Sequence, residues 1–155
     1  MNNRLLIING PGLSDLSNFN EFGYDDLTLE KVQQKCLETC ESLGLTLEFC
    51  QTDDEIELTN DLTKAYKEFD ALIVNPVGYS HASSLDFDIY TSNIETITLQ
   101  NKPVIEVHIA NIFQKGMNIT TPIKVSEGSV GFVSGFGIHS YDLAIRAVNK
   151  KLRKT

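Results

Sequence analysis

The segment Ala71 to Val74 restricts the fold of this chain more than any other stretch, because it is apolar at every position. Parallel strands that helices cover on both faces have such unbroken apolar runs, whereas half-exposed strands alternate between apolar and polar residues. Asn75 and Pro76 end the run, and proline cannot donate to a strand ladder. The segment therefore predicts the central strand of an α/β domain.

The residues after this strand carry polar side chains of four chemical types. An amide, a phenol, a hydroxyl and an imidazole follow one another closely, in Asn75, Tyr79, Ser80 and His81. Open α/β sheets bind ligands at the carboxyl ends of their strands. These residues are predicted to form the floor of a binding site, with the alternative that Asn75 and His81 only satisfy the polar groups of a turn.

Strand and helix patterns alternate through the rest of the chain. Short apolar or alternating runs predict four further strands, at Arg4–Ile8, Thr46–Gln51, Pro103–His108 and Val130–Ser134. Helical spacing of apolar residues predicts four helices, at Thr28–Leu43 with Thr28 as N-cap and Gly44 as stop, at Ile56–Phe69 with Asp53 or Asp54 as N-cap, at Leu85–Ile94 and at Ile138–Leu152.

This alternation, without repeats or linkers, predicts one α/β domain over residues 1–155. We expect a flavodoxin-like three-layer sandwich whose five-stranded parallel sheet has the order 2-1-3-4-5. At the carboxyl ends of strands one, three and four, the segments Asn9–Gly12, Asn75–His81 and His108–Asn111 then converge on one site.

Composition limits the classes of partner. The chain of 155 residues has 21 acidic and 13 basic side chains and a formal charge of −8, which repels nucleic acid. No apolar run is long enough for a membrane span or a signal peptide, so a soluble cytoplasmic protein is expected. Cys36, Cys40 and Cys50 show no CxxC spacing, which predicts ordinary reduced thiols and no metal site.

Three residues are candidates for proton transfer, the pair Glu106 and His108 and the loop residue Tyr24. Glu106 and His108 lie two apart on a strand and therefore share a face, so the carboxylate can orient the imidazole as a general acid; taken alone, a structural pair is the more common case. Tyr24 lies in the long loop Leu13–Leu27, where an aromatic side chain is either a surface plug or a base.

Gly10 and Gly12 indicate a phosphate-binding loop only weakly, because the full dinucleotide fingerprint is missing. A flavin-binding module of the same fold is disfavoured for that reason.

Several motifs in chain order resemble the type II 3-dehydroquinate dehydratase family from end to end. They are LLIINGPGL, the loop tyrosine Tyr24, IVNPVGYSHAS, PVIEVHIAN and GFGIHSYDLAI. The resemblance implies a hydro-lyase of the shikimate pathway that converts 3-dehydroquinate to 3-dehydroshikimate through an enolate, without metal or cofactor. It makes Tyr24 the base and His108 the general acid, with Glu106 supporting His108 and Asn75 positioning the reacting centre.

The resemblance also implies binding residues and an assembly. His81 corresponds to a substrate-binding histidine, and the backbone amides of Ile109 and Ala110 lie where the family binds the substrate carboxylate. Asp88 corresponds to an aspartate that reaches the site of a neighbouring subunit. The small-molecule substrate is therefore the expected partner, together with self-association into a homododecamer built from trimers.

Four positions depart from the family pattern. Gly12 replaces an asparagine, Phe19 a lid arginine, Ala110 a serine and Ile119 a second arginine, while Lys115 is the nearest cation in sequence. The losses fall on groups that bind and activate the substrate. They leave two hypotheses, a dehydratase that is weakened or re-targeted, and a catalytically inactive homologue that binds a ligand or supports an assembly.

Overall fold

The computed structural model describes residues 2–24, 26–76, 78, 86–112 and 131–153. Strands and helices alternate along this part of the chain. The elements are β1 (Arg4–Asn9), a short 3₁₀ helix (Ser17–Phe22), α1 (Leu29–Leu43), β2 (Thr46–Gln51), α2 (Glu55–Glu68), β3 (Ala71–Asn75), α3 (Phe87–Thr98), β4 (Val104–His108), β5 (Phe132–Ser134) and α4 (His139–Leu152).

The strands form one parallel sheet in the order β2-β1-β3-β4-β5, which confirms the predicted flavodoxin-like topology. The central strand β3 is buried at all five positions, as its unbroken apolar sequence predicts. Helices cover both faces of the sheet. Ile73 packs in the cluster that includes α1 and α4, whereas Leu72 and Val74 pack in the cluster that includes α2 and α3.

Helix ends follow the predicted capping residues. The Thr28 hydroxyl accepts a hydrogen bond from the backbone N–H of Lys31, and Gly44 ends α1 in the left-handed conformation with φ of 72°. At the start of α2, Asp54 is the N-cap. The other candidate, Asp53, instead accepts a hydrogen bond from the backbone N–H of Gly12 at 3.0 Å.

Helix α3 begins and ends later than the predicted range Leu85–Ile94. Asp86 caps it by accepting hydrogen bonds from the second and third residues of the helix. It continues to Thr98 because Ile97 is buried against the core.

Smaller differences affect the other bounds. β1 extends to Asn9, and β4 begins at Val104 because the preceding proline has no N–H to join the ladder. β5 begins at Phe132, while Val130, its predicted start, lies outside the described residues. α4 begins at His139, one residue later than predicted.

The predicted loop Leu13–Leu27 contains the 3₁₀ helix and contributes side chains to the core. Leu13, Leu16 and Phe19 are buried in the cluster of α1 and α4, and Phe19 is only 5% exposed. The backbone carbonyl of Phe19 accepts a hydrogen bond from the N–H of Tyr24 at 3.2 Å. Apolar side chains therefore anchor this segment, which its polar composition does not predict.

The cysteines are protonated thiols at neutral pH. Cys36 and Cys40 are buried, and burial raises the pKa of Cys40 to about 11. Burial, followed by the nearby carboxylate of Asp61, raises the pKa of Cys50 to about 12. Within the described ranges, no group of three His, Cys, Asp or Glu side chains is placed to hold a metal ion, and no helix is long and apolar enough to cross a membrane.

Gly10 lies where the backbone at the end of β1 approaches the end of β3. Its N–H donates to the carbonyl O of Asn75 at 2.8 Å, and a Cβ atom at this position would lie 1.9 Å from the carbonyl O of Pro76. The N–H is thus used inside the fold, which argues against the phosphate-loop hypothesis. The glycine is required here by the close contact between two backbone segments.

Gly10→Ala is expected to lower the free energy of unfolding by at least about 2 kcal/mol, because the added methyl group collides with a backbone carbonyl. Urea unfolding measures the change. Gly131→Ala is the matched control, since its added Cβ meets no atom of the described residues within 4 Å, and it should change stability by less than about 0.5 kcal/mol. Equal stabilities of the two variants would contradict the close approach at Gly10.

Candidate active site

Polar residues lie at the carboxyl ends of four neighbouring strands. Asn9 pairs with Asn75 in the parallel register, and His108 pairs with Ser134. The structure thus brings the ends of β1, β3 and β4 together as predicted, and β5 adds Ser134, which was not predicted as a site residue. Open parallel sheets bind their ligands at this carboxyl end of the strands.

Glu106 and His108 form a buried pair on β4. His108 Nε2 lies 3.1 Å from Glu106 Oε2, and the two residues are 3% and 0% exposed. The prediction that the two side chains share a face of the strand is therefore confirmed. Because a carboxylate only accepts hydrogen bonds, Nε2 of the imidazole is assigned as the donor in this pair.

A third residue, Tyr90 on α3, contacts this pair. Its hydroxyl donates a hydrogen bond to Glu106 Oε1 at 2.7 Å. Burial, and then the neighbouring carboxylate of Glu106, raise the pKa of Tyr90 well above its usual value. The phenol therefore stays protonated and remains a donor. Tyr90 lies within the predicted helix Leu85–Ile94, but no role was predicted for it; the glutamate on the strand that follows this helix is the sequence signal that could have indicated the contact.

A second buried network fixes Asn75. The hydroxyl of Tyr141 on α4 donates to Asn9 Oδ1 at 2.6 Å and accepts from Asn75 Nδ2 at 3.0 Å. Asn9 Nδ2 in turn donates to the carbonyl O of Cys50 at 3.1 Å. Burial raises the pKa of Tyr141 above its usual value, so its hydroxyl keeps the proton that it donates. Asn9 and Tyr141 thus set the orientation of the Asn75 amide.

Tyr24 lies against the segment between β5 and α4. Its hydroxyl donates to the carbonyl O of Gly135 at 3.0 Å, and its ring lies 3.1 Å from where a Cβ on Gly137 would be. The N–H of Gly135 donates to the carbonyl O of His108 at 3.2 Å. The Tyr24 hydroxyl and the backbone of His108 therefore contact the same glycine, and the half-buried phenol is not a plug on an outer surface.

The turn after β4 is held by side-chain and backbone contacts. Ser134 Oγ donates to the carbonyl O of Ala110 and accepts from the N–H of Ile112, both at 3.1 Å. The carbonyl O of Ile109 accepts from the N–H of Gly137 at 2.9 Å. In the part of the chain that the structure describes, the N–H groups of Ile109 and Ala110 make no hydrogen bond.

The other predicted residues are either outside the described part of the chain or exposed on its surface. His81 lies outside the described residues, as do Tyr79, Ser80, Ile119 and Lys115. Asp88 is described and lies exposed in the first turn of α3.

The described cluster combines groups suited to proton transfer. An imidazole paired with a buried carboxylate can carry a positive charge and donate a proton, and a phenol that loses its proton can accept one. The Tyr24 hydroxyl and the His108 backbone both contact Gly135, and Asn75 ends the strand next to β4. This arrangement fits acid–base chemistry on a small molecule.

Comparison with known proteins assigns the chain to a family. The model of the family "Dehydroquinase class II" matches residues 3–149. A 3-dehydroquinate dehydratase of Thermoanaerobacter pseudethanolicus is 33% identical over 94% of this chain and 93% of its own length, and one of Clostridium botulinum is 31% identical over 97% of both. The crystal structure of the type II dehydroquinase from Butyrivibrio crossotus covers 96% of this chain and 98% of its own, with 26% identity and a TM-score of 0.78. Sequence and fold agree over nearly the whole length, and the chain belongs to the class II dehydroquinase family.

Proposed function

We propose that this protein is a hydro-lyase that removes water from 3-dehydroquinate to give 3-dehydroshikimate through an enolate. The observation that carries the proposal is that the Tyr24 hydroxyl and the His108 backbone contact the same residue, since the Gly135 carbonyl accepts from the Tyr24 hydroxyl and the Gly135 N–H donates to the backbone carbonyl of His108. Family membership supports the same reaction, because the curated relatives are named 3-dehydroquinate dehydratases.

In the proposed reaction, Tyr24 acts as a phenolate and takes the proton from the carbon beside the ketone. The C–H electrons enter the enolate. As they return to form the C=C bond, the C–O bond breaks and His108, as imidazolium, protonates the leaving hydroxyl, so that water departs. Tyr24 then gives its proton to solvent and His108 regains one. Glu106 supports the imidazolium, and no metal or cofactor takes part.

Tyr24 cannot act as a base while its hydroxyl keeps the hydrogen bond to Gly135. The phenol donates to a carbonyl oxygen in this structure, and a phenolate cannot donate. Tyr24 must therefore lose its proton and leave the Gly135 carbonyl before it acts as a base. A family lid arginine would favour the ionised phenol, and Phe19 stands at that position in this chain.

Substrate binding is proposed to use the turn after β4 and the neighbouring strand end. The N–H groups of Ile109 and Ala110 would bind the substrate carboxylate, Asn75 would position the reacting centre, and His81 would hold a ring oxygen. Asp88 is exposed at the start of α3, and is proposed to reach the site of a neighbouring subunit in a homododecamer built from trimers.

A second candidate function is a catalytically inactive homologue that binds a ligand or supports an assembly, and Phe19 is the observation that favours it. Arg4 begins β1 at the opposite end of the sheet, Arg146 pairs with Asp142 at 3.2 Å on α4, and Arg153 follows the last turn of α4. None of the three therefore replaces the lid arginine.

The deciding experiment is a near-ultraviolet assay of the full chain with 3-dehydroquinate, in which the conjugated product absorbs. Product formation should be proportional to protein concentration and unchanged by EDTA. Absence of product contradicts the proposal, and binding of 3-dehydroquinate without turnover, measured by calorimetry, supports the inactive homologue. Light scattering should give the mass of a dodecamer; a monomer contradicts the role of Asp88.

A further inference from the structure

Glu106 has two oxygen atoms with two different partners. Oε1 accepts from the Tyr90 hydroxyl at 2.7 Å, and Oε2 lies 3.1 Å from His108 Nε2. Glu106 is 0% exposed and Tyr90 is 2% exposed. Hydrogen bonds to charged groups in such a buried setting are the strong ones, because water does not compete with them.

We propose that Tyr90 is a positioning residue for the dehydration, holding the Glu106 carboxylate in the orientation in which Oε2 faces the imidazole of His108. The inference rests on the proposed function and goes beyond it, by giving α3 a part in proton donation.

The geometry explains why one donor has this effect. A carboxylate turns about the bond to its own side chain, and that rotation would move Oε2 away from the ring. A donor on Oε1 stops the rotation, because both oxygens are then held from different elements, Oε1 from α3 and Oε2 from β4. Tyr90 is suited to this task because it keeps its proton at neutral pH.

The Tyr90 ring has a separate role in packing. It lies in the apolar cluster with Ile94, Ile97 and Val104. Tyr90→Phe keeps the ring and removes only the hydroxyl, so it separates positioning from packing. Tyr66→Phe is the matched control, because Tyr66 packs against the same cluster and its hydroxyl makes no hydrogen bond within the described residues, where only its backbone carbonyl accepts one, from Lys102.

Tyr90→Phe is expected to lower kcat for 3-dehydroquinate by about ten- to a hundredfold while KM changes by less than about twofold, because the hydrogen bond contributes to proton donation and not to binding. Tyr66→Phe should leave both constants unchanged. A Tyr90→Phe variant with wild-type kcat, or one in which only KM changes, would overturn the proposal.

Nuclear magnetic resonance provides a second readout that needs no turnover. The ring nitrogen signals of His108, identified from their loss in His108→Ala, should shift in Tyr90→Phe and in Glu106→Gln but not in Tyr66→Phe. Unchanged signals in Tyr90→Phe overturn the inference. If the wild-type protein makes no product, the proposed function fails while this spectrum still tests the Tyr90 contact.

If Tyr90→Phe does not fold, 3-fluorotyrosine at position 90 keeps the ring and the hydroxyl and makes the phenol a stronger donor. It should shift the same His108 signals relative to the unmodified protein. Signals that stay in place with this residue also overturn the inference.

Discussion

Tyr24→Phe is expected to lower kcat for 3-dehydroquinate by about two to four orders of magnitude, because it removes the proposed base and leaves the ring in place. The ring lies beside Gly137 and the backbone N–H of Tyr24 remains bonded to Phe19, so the loop keeps its contacts. Steady-state kinetics with the near-ultraviolet assay measure the change.

Stability distinguishes a chemical effect from a structural one in this variant. Loss of the hydrogen bond to Gly135 should cost only about 1 kcal/mol of unfolding free energy, which urea unfolding measures. Tyr66→Phe should retain full activity. Activity of Tyr24→Phe within tenfold of the wild type would show that another group is the base.

Phe19→Arg is expected to lower the free energy of unfolding by about 3 to 5 kcal/mol, and not to restore a catalytic arginine. Phe19 is 5% exposed and packs in the cluster with Leu13 and Leu16. The substitution removes a buried aromatic ring and places a guanidinium group where it has no water. Urea unfolding of the two proteins measures the difference.

Two control variants separate burial from charge at this place. Asn20→Arg puts the same charge at the next position of the 3₁₀ helix, where the side chain is exposed, and should change stability by less than about 0.5 kcal/mol. Phe19→Leu keeps an apolar side chain and should cost less than Phe19→Arg. A stable Phe19→Arg protein with raised activity would show that position 19 turns outward.

The fold could be predicted because its signals are local. The apolar run at β3, the spacing of the helices and the caps at Thr28 and Asp54 lie in short stretches of sequence, and the topology follows from their alternation. The contact between Glu106 and His108 is also local, since side chains two apart share a face of a strand.

The remaining contacts of the site could not be predicted, because their partners are distant in sequence. Tyr141 lies 132 residues from Asn9 and 66 from Asn75, and both Tyr141 and Tyr90 occupy apolar helix positions that are typical of core residues. Phe19 lies in a segment with polar composition, which gives no sign of its burial. The position of the Tyr24 side chain depends on a hydrogen bond to Gly135, 111 residues away in sequence.

The two phenols Tyr90 and Tyr141 contact residues of the candidate site from opposite faces of the sheet. Tyr141 reaches Asn75 from the layer of α4, and Tyr90 reaches Glu106 from the layer of α3. In the proposed reaction, the placement of the reacting centre and the supply of a proton therefore depend on different halves of the hydrophobic core. Under that proposal, changes in one layer can alter substrate placement without rebuilding the proton donor in the other, so the two functions are separable in evolution.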